Sequence, residues 1–425
     1  MKYKQKIDSL IVSCLIGALP VSMFSIGHTS AIFYTLLVIC LTICFSRVGG
    51  FSATKQDWFR YRWLAMGLFS MAFFVMIAMV LEQRFLGSAV ERALRIGLGI
   101  FIVLGACFSL RPQWLRQAIW GIGLATIVSS AIVWWLVWPH LSRPQTPEFN
   151  AVSFGNLTLL VSILTVFSLG WKLTRFKKTE TLIKILMFVF GLSGFILTQT
   201  RSGWLAVPLF ILIAVLLFKD KYKPVKLVSC FVLATTFMAA AFFSHPILVD
   251  RTKGGIDEFK ECIANPISDA NVCVRLQLWR ASWEMFKQDP WLGNGGGDRF
   301  EGELILLADK KVVSKSVAEQ GFGEPHNDML YMMASYGILG LIGLVLIYLT
   351  PGYIFARRLI GAYSLEVRIA AAMGLVVCIG FLVFGFTELM FRGMRTMSFY
   401  AVTTAWLLAL SDQAFTARND IALTS

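Results

Sequence analysis

"GEPHNDMLYMMASYGILGLIGLVL", residues 323–346, sets a polar hexapeptide holding Glu324, His326, Asn327 and Asp328 against an apolar run long enough to cross a bilayer. Runs of that kind recur along the 425-residue chain, with expected spans at 9–27, 30–46, 61–81, 94–110, 115–138, 152–170, 182–199, 203–218, 227–245, 329–350, 369–390 and 397–411. Each can cover about 30 Å of hydrocarbon at about 1.5 Å per residue. With 57% hydrophobic and 15% charged residues and a mean hydropathy of +0.69, the chain is too apolar for a soluble domain. The expectation is an all-α polytopic membrane protein of about 12 transmembrane helices with one large, partly helical periplasmic loop.

Charge in the loops orients these spans, because lysine and arginine are retained on the cytoplasmic side. With "MKYKQK" inside, the inside segments hold 22 lysines and arginines against seven in the short outside loops, so both termini are expected in the cytoplasm. The first apolar run lacks a good cleavage site at 24–31 and reads as an uncleaved helix. The formal charge of +14 is spread over these short loops and not gathered on one exposed domain, which argues against a nucleic-acid partner.

The expected organisation is residues 1–245 as spans one to nine, 246–328 as a loop domain, 329–411 as spans ten to twelve and 412–425 as a cytoplasmic tail. A loop as long as 246–328 usually carries structure or function. Six of the eight cysteines sit in apolar spans as packing residues; Cys262 and Cys273 lie in the loop, where spacing leaves open whether they pair. There is no CxxC or Cys/His zinc spacing, and no Asp-x-Asp pair. Glu301-Gly-Glu303 reads as a solvated helix start.

Polar groups collect on the outside face. "TQTRSGW" (198–204) places Arg201 at a hairpin tip, either snorkelling to headgroups or turned toward the protein by the tight turn at Gly203. "EQRFLGSAVERALR" (82–95) carries Arg84, Arg92 and Arg95, with Arg95 spaced to pair with Glu91. In "CVRLQLWRASWEMFKQDPWLGNGGGDRF" (273–300) a helix ends at Asp289-Pro290. Arg275, Trp279 and Trp283 share one face of it, while Arg280 lies about 140° away from Arg275. The same pattern also fits a helix lying on the membrane.

"GNGGG" (293–297) lacks the Lys-Ser/Thr of a phosphate loop and reads as a flexible connector. Near the last outside turn, Glu388 and Arg392 are four apart and are expected to pair with each other.

His326 precedes a helix that Asn327 or Asp328 can cap, which puts the imidazole beside the positive end of the helix dipole and favours a neutral ring able to accept a proton. Glu324 can orient that ring. Arginines and a basic histidine on one face suit a hydroxyl nucleophile and an anionic leaving group, since arginine holds phosphate oxygens bidentately.

These residues resemble a known family. "RLQLW…MFKQDPWLGNGGGDRF" and "PHNDMLYMMASYGILGLIGL", through Arg275 with Trp279, Pro290 with Gly293 and Gly295, and His326-Asn327 followed by Tyr336-Gly337, are similar to the O-antigen ligases and the wider O-antigen polymerase superfamily. The resemblance implies an inner-membrane, metal-independent glycosyltransferase without cofactors. Its donor is an undecaprenyl-pyrophosphate-linked glycan and its acceptor the terminal sugar of lipid A-core, with membrane lipids around it. It also implies His326, Arg275 and Arg201 as catalytic, the two arginines engaging the pyrophosphate; from their place on the outside face, Arg84 and Arg92 are expected to help bind the pyrophosphate, and Glu324, Asn327, Trp279 and Arg280 to serve as acceptor or supporting residues.

Asp328 stands where the family commonly has a leucine-like residue, and Tyr336 where it has an acidic one, which bears on the acceptor side. A polymerase of the same lipid-linked glycan and a transferase to protein hydroxyls share the donor chemistry. A twelve-span transporter of anionic or lipid-linked solutes would instead place its polar groups near the midplane and repeat them between halves.

Overall fold

The computed structural model describes residues 2–25, 27–46, 60–83, 85, 87–139, 142–146, 149–219, 223, 246–294 and 297–417, with scattered positions between 225 and 244. Arg84 and all but scattered positions of the ninth expected span lie outside the described residues. Among the described residues the chain is helical and has no strand.

Helices α1 (Lys2–Ser25), α2 (Thr29–Ser46), α3 (Arg62–Leu81), α4 (Gly87–Cys107), α5 (Ile119–Val137), α6 (Ala151–Phe167), α7 (Lys177–Leu197) and α8 (Val207–Leu217) make the first half. Then come α9 (Pro246–Ala264), α10 (Asn271–Gln288), α11 (Gly297–Asp309) and α12 (Lys315–Glu319), followed by α13 (Asp328–Ile360), α14 (Leu365–Gly385) and α15 (Met394–Leu410).

Eight helices among the described residues are long and apolar enough to cross a membrane: α1, α2, α3, α5 with its preceding turn from Pro112, α6 continued to Gly170, α7, α13 and α14. The expected count of twelve therefore stands at eight by this measure, for local reasons. The first turns of α4 carry Glu91, Arg92 and Arg95, α8 has 11 residues, and α15 has 17.

Helix α15 is short because it is enclosed. Thr396 through Leu410 are all buried, so the helix is enclosed around its whole circumference and packs among α1, α2, α4 and α14. Its far end is pinned by Asp412, which accepts hydrogen bonds from Tyr61 Oη at 2.8 Å, Arg358 Nη2 at 3.1 Å and Arg60 Nη1 at 3.1 Å.

Residues 246–327 carry a core of their own. Leu278, Ala281 and Met285 of α10 pack with Phe300, Leu304 and Leu307 of α11 and Val317 of α12, and Ala334 of α13 closes the cluster. Cys262 and Cys273 are joined by a disulfide that ties α9 to α10, so the pairing left open by spacing is made.

Helix α13 is broken where the sequence reads as one continuous span. Tyr336 has φ −140° and Gly337 φ +62° with ψ −156°, a region open to glycine alone. The loop after α10 fills the break. Ile338 N donates to Pro290 O at 2.8 Å, and Ala334 O accepts from Asn294 N at 2.8 Å, so the two groups that would have bonded each other in a regular helix each find a loop partner.

Gly293, at φ +75°, faces the break, with room for no Cβ against Gly337 N at 2.6 Å. This corrects the reading of "GNGGG" as a connector: Gly293 is a close-packing residue, while Gly295 and Gly296 lie outside the described residues. A Cβ at Gly337 would meet Leu292 N at 2.7 Å and the Trp291 carbonyl closer still. Gly337→Ala should therefore lower stability by about 3 kcal/mol or more, combining backbone strain with overlap. A thermal-shift scan of purified protein should show it, with Gly302→Ala, which meets nothing within 4 Å, unchanged.

Candidate active site

Three chain segments meet at the head of α13: the start of α10, the turn 322–327, and the α14–α15 connection at 386–393. Asn327 makes the turn. Its Oδ1 accepts from Met329 N at 3.0 Å and Leu330 N at 3.1 Å, which caps α13, and its Nδ2 donates to Phe386 O at 3.1 Å. Asn327, not Asp328, is the cap.

Asp328 is buried and serves the neighbouring connection, accepting from Tyr348 Oη at 3.2 Å, Met390 N at 3.0 Å and Phe391 N at 3.4 Å. It thereby fixes the backbone between Glu388 and Arg392.

His326 has φ +50°, a left-handed conformation uncommon for residues other than glycine. Strain of that kind costs on the order of 1–3 kcal/mol and collects at functional sites. Trp279 Nε1 donates to Pro325 O at 3.1 Å and steadies the turn, and the Phe322 ring meets the imidazole edge-on with centroids 6.1 Å apart.

His326 Nδ1 lies 3.5 Å from Glu388 Oε2 and 3.5 Å from Glu324 Oε1. Both approaches are longer than a normal hydrogen bond, and the buried Nδ1 has no closer partner among the described residues. Two facing carboxylates favour the tautomer with its hydrogen on Nδ1, which makes Nε2 the acceptor nitrogen.

Glu388 is the hub of the cluster at 2% exposure. It accepts from Arg275 Nη2 at 2.8 Å and Asn150 Nδ2 at 2.7 Å, and Arg275 Nη1 donates to Thr387 O at 3.0 Å. Burial works to raise its pKa, but the facing His326 imidazole, the Arg275 guanidinium and the Asn150 amide outweigh it and hold the carboxyl below its ordinary value. The expected Glu388–Arg392 pair is not formed: Glu388 turns inward to Arg275, and Arg392 pairs with Glu324. Residues 386–393 are not helical, so four-residue spacing does not bring the two together there.

The other expected site residues divide. Arg92 donates through Nε to Ser88 O at 3.1 Å and lines a cleft with Arg392, Asp328 and Tyr336. Arg95 is held by Glu91, as its spacing indicates. Arg201 is exposed beside Thr200, whose hydroxyl donates to Ala151 O at 3.0 Å, next to the Asn150 that serves Glu388. Its guanidinium lies against Gly255 of α9.

Arg280 points away from the cluster, exposed, with Nη1 3.4 Å from Pro266 O. Trp283, on the Arg275 face, is 47% exposed. Sequence reasoning missed Asn150 as a partner and Arg392 as a site cation; it noticed Glu388 but gave it the wrong partner. A lone carboxylate in the apolar stretch "FGFTELMF" (384–391) is the signal that pointed to Glu388.

Chemically, the cluster is a carboxylate-backed imidazole with cations around it, the arrangement by which a base is oriented and its protonated form stabilised.

A protein of Haemophilus influenzae described as "Uncharacterized protein" is 22% identical over 285 residues, which is 65% of this chain and 69% of that protein. Residues 186–345 match the family model described as O-Antigen ligase, and they include Arg201, Arg275 and His326. Glu388, Asn150, Arg92 and Arg392 lie outside that stretch. The chain is a multi-pass membrane protein whose residues 186–345, from within α7 to beyond the break in α13, are similar to the O-antigen ligase family.

Proposed function

We propose that this protein is an O-antigen ligase: a metal-independent, inverting glycosyltransferase that moves a glycan from undecaprenyl pyrophosphate to a sugar hydroxyl of lipid A-core. The observation that carries the reading is His326 backed by Glu388 and Glu324 at the head of α13. The disulfide between Cys262 and Cys273 supports placing residues 246–328 in the periplasm of an inner-membrane protein with both termini inside, because such bonds persist in oxidising compartments.

In the proposed step, the acceptor hydroxyl oxygen attacks the anomeric carbon while the bond from that carbon to the pyrophosphate oxygen breaks. The hydroxyl proton passes to His326 Nε2, and undecaprenyl pyrophosphate leaves with the bonding pair. Glu388 stabilises the imidazolium that forms. Arg201, Arg92 and Arg84 meet the charge on the leaving group. Arg275 has two of its five N–H donors bound within the protein, so it both holds Glu388 and offers its remaining edge to the anion.

A polymerase or a protein transferase would share the donor step. The test is the glycan ladder on lipopolysaccharide gels from cells lacking the gene. Loss of a ligase leaves full-length chains on carrier lipid and bare lipid A-core. Loss of a polymerase leaves single repeats attached, which would overturn the acceptor assignment.

A further inference from the structure

Beside the histidine cluster, a narrow open cleft lies between α3, α4 and the outer half of α13. Met71, Val75, Met332 and Leu344 give it an apolar wall, and Arg92 and Arg392 stand on it together. The two cations are close enough that the Arg92 charge, after burial, disfavours the charged form of Arg392. Two like charges held together on an apolar wall are best neutralised by an anion with a hydrophobic tail.

The anion now at Arg392 comes from the protein itself. Glu324 pairs through Oε2 with Arg392 Nη1, while its Oε1 stands 3.5 Å from His326 Nδ1. One carboxylate is thus divided between the cleft cation and the imidazole.

We propose that Glu324 is an internal competitor for the donor: it occupies Arg392 until the diphosphate of a lipid-linked substrate lying in this cleft displaces it, and the displaced carboxylate then closes on His326. The proposal rests on the lipid-diphosphate donor of the preceding section. It makes Arg392 a donor-binding residue and Glu324 a positioning residue whose partner changes with occupancy. Substrate arrival and alignment of the base become one event, so the imidazole is fully oriented only when a donor is present.

The consequence is a split that a structural role for Glu324 would not give. Replacing the competitor should tighten donor binding by about two- to fivefold, the range set by a half-exposed ion pair, and at the same time lower kcat by about tenfold because the base loses a carboxylate.

The probe is farnesyl diphosphate, titrated against purified full-length protein in lipid nanodiscs with tryptophan fluorescence as the readout and farnesol as the control. The expected order of affinity is E324Q above wild type and wild type above Arg392→Ala, the last weaker by about tenfold, with Arg392→Lys between. In the transfer assay E324Q should combine a lower KM for donor with a lower kcat.

Unchanged or weaker binding by E324Q, with wild type binding normally, overturns the competitor role and leaves the donor reading standing. Farnesol binding as tightly as the diphosphate overturns the arginine anchor. No binding of farnesyl diphosphate by wild type overturns the lipid-diphosphate donor itself, and the inference falls with it.

Discussion

A chain carrying His326→Ala should reach the membrane at wild-type levels and restore little or no glycan ladder. The imidazole turns Nδ1 to Glu388 and Glu324, and Nε2 is left as the nitrogen to take a proton. General-base assistance of this kind contributes about 10²–10⁴-fold, which on a gel is the difference between a ladder and none.

His326 is also at φ +50°, which alanine adopts less readily than histidine, so His326→Asn is the cleaner variant. Asparagine tolerates the left-handed turn and cannot act as a base. Both variants silent at normal membrane levels is the expected result. A ladder restored by His326→Asn would reduce the turn to a helix cap.

The second large effect is expected at Glu388, where Glu388→Gln should cut transfer by about 10²-fold and lower stability as well. The substitution keeps shape but removes the charge that Arg275 and His326 both face. Breaking a buried pair by one partner costs about 3–5 kcal/mol. Arg275 is one-third exposed, so solvent screens part of this and about 2 kcal/mol is the better expectation.

The pH dependence follows from the depressed pKa of Glu388. The folded state binds this proton less readily than the unfolded state, so the stabilisation is present above the unfolded-state pKa and is lost as pH falls through the lower folded-state value. The difference in thermal midpoint between wild type and Glu388→Gln should be full at neutral pH and shrink as the pH is taken into the strongly acid range. A difference that stays constant would mean that Glu388 acts by shape alone.

Much of the frame was legible because apolar length and the 3.6-residue period are local properties. The starts of α2, α3 and α6 fall within a residue or two of the expected spans. Helix α15 was the hard case, since burial among neighbours lets a helix be shorter than the bilayer requires. The break at Tyr336-Gly337 was not legible: it depends on Pro290 and Asn294, some 40 residues away in sequence, supplying hydrogen bonds to Ile338 and Ala334.

The site shows the same limit. His326, Arg275 and Trp279 could be read from spacing and local chemistry, and the structure brings them together. The choice between Arg275 and Arg392 as partner for Glu388 could not, because pairing by four-residue spacing presumes a helix and residues 386–393 do not form one. Asn150, from a connection 238 residues earlier, has no sequence signal as a partner for Glu388.

The most direct measurement is glycan transfer by the purified protein in nanodiscs, supplied with an undecaprenyl-pyrophosphate-linked glycan and lipid A-core in buffer containing a chelator. The account predicts that wild type forms the glycosylated product with inverted anomeric configuration, and that His326→Asn, folded and binding donor, does not. Product formed equally by His326→Asn, or formed only when divalent metal is restored, would contradict it.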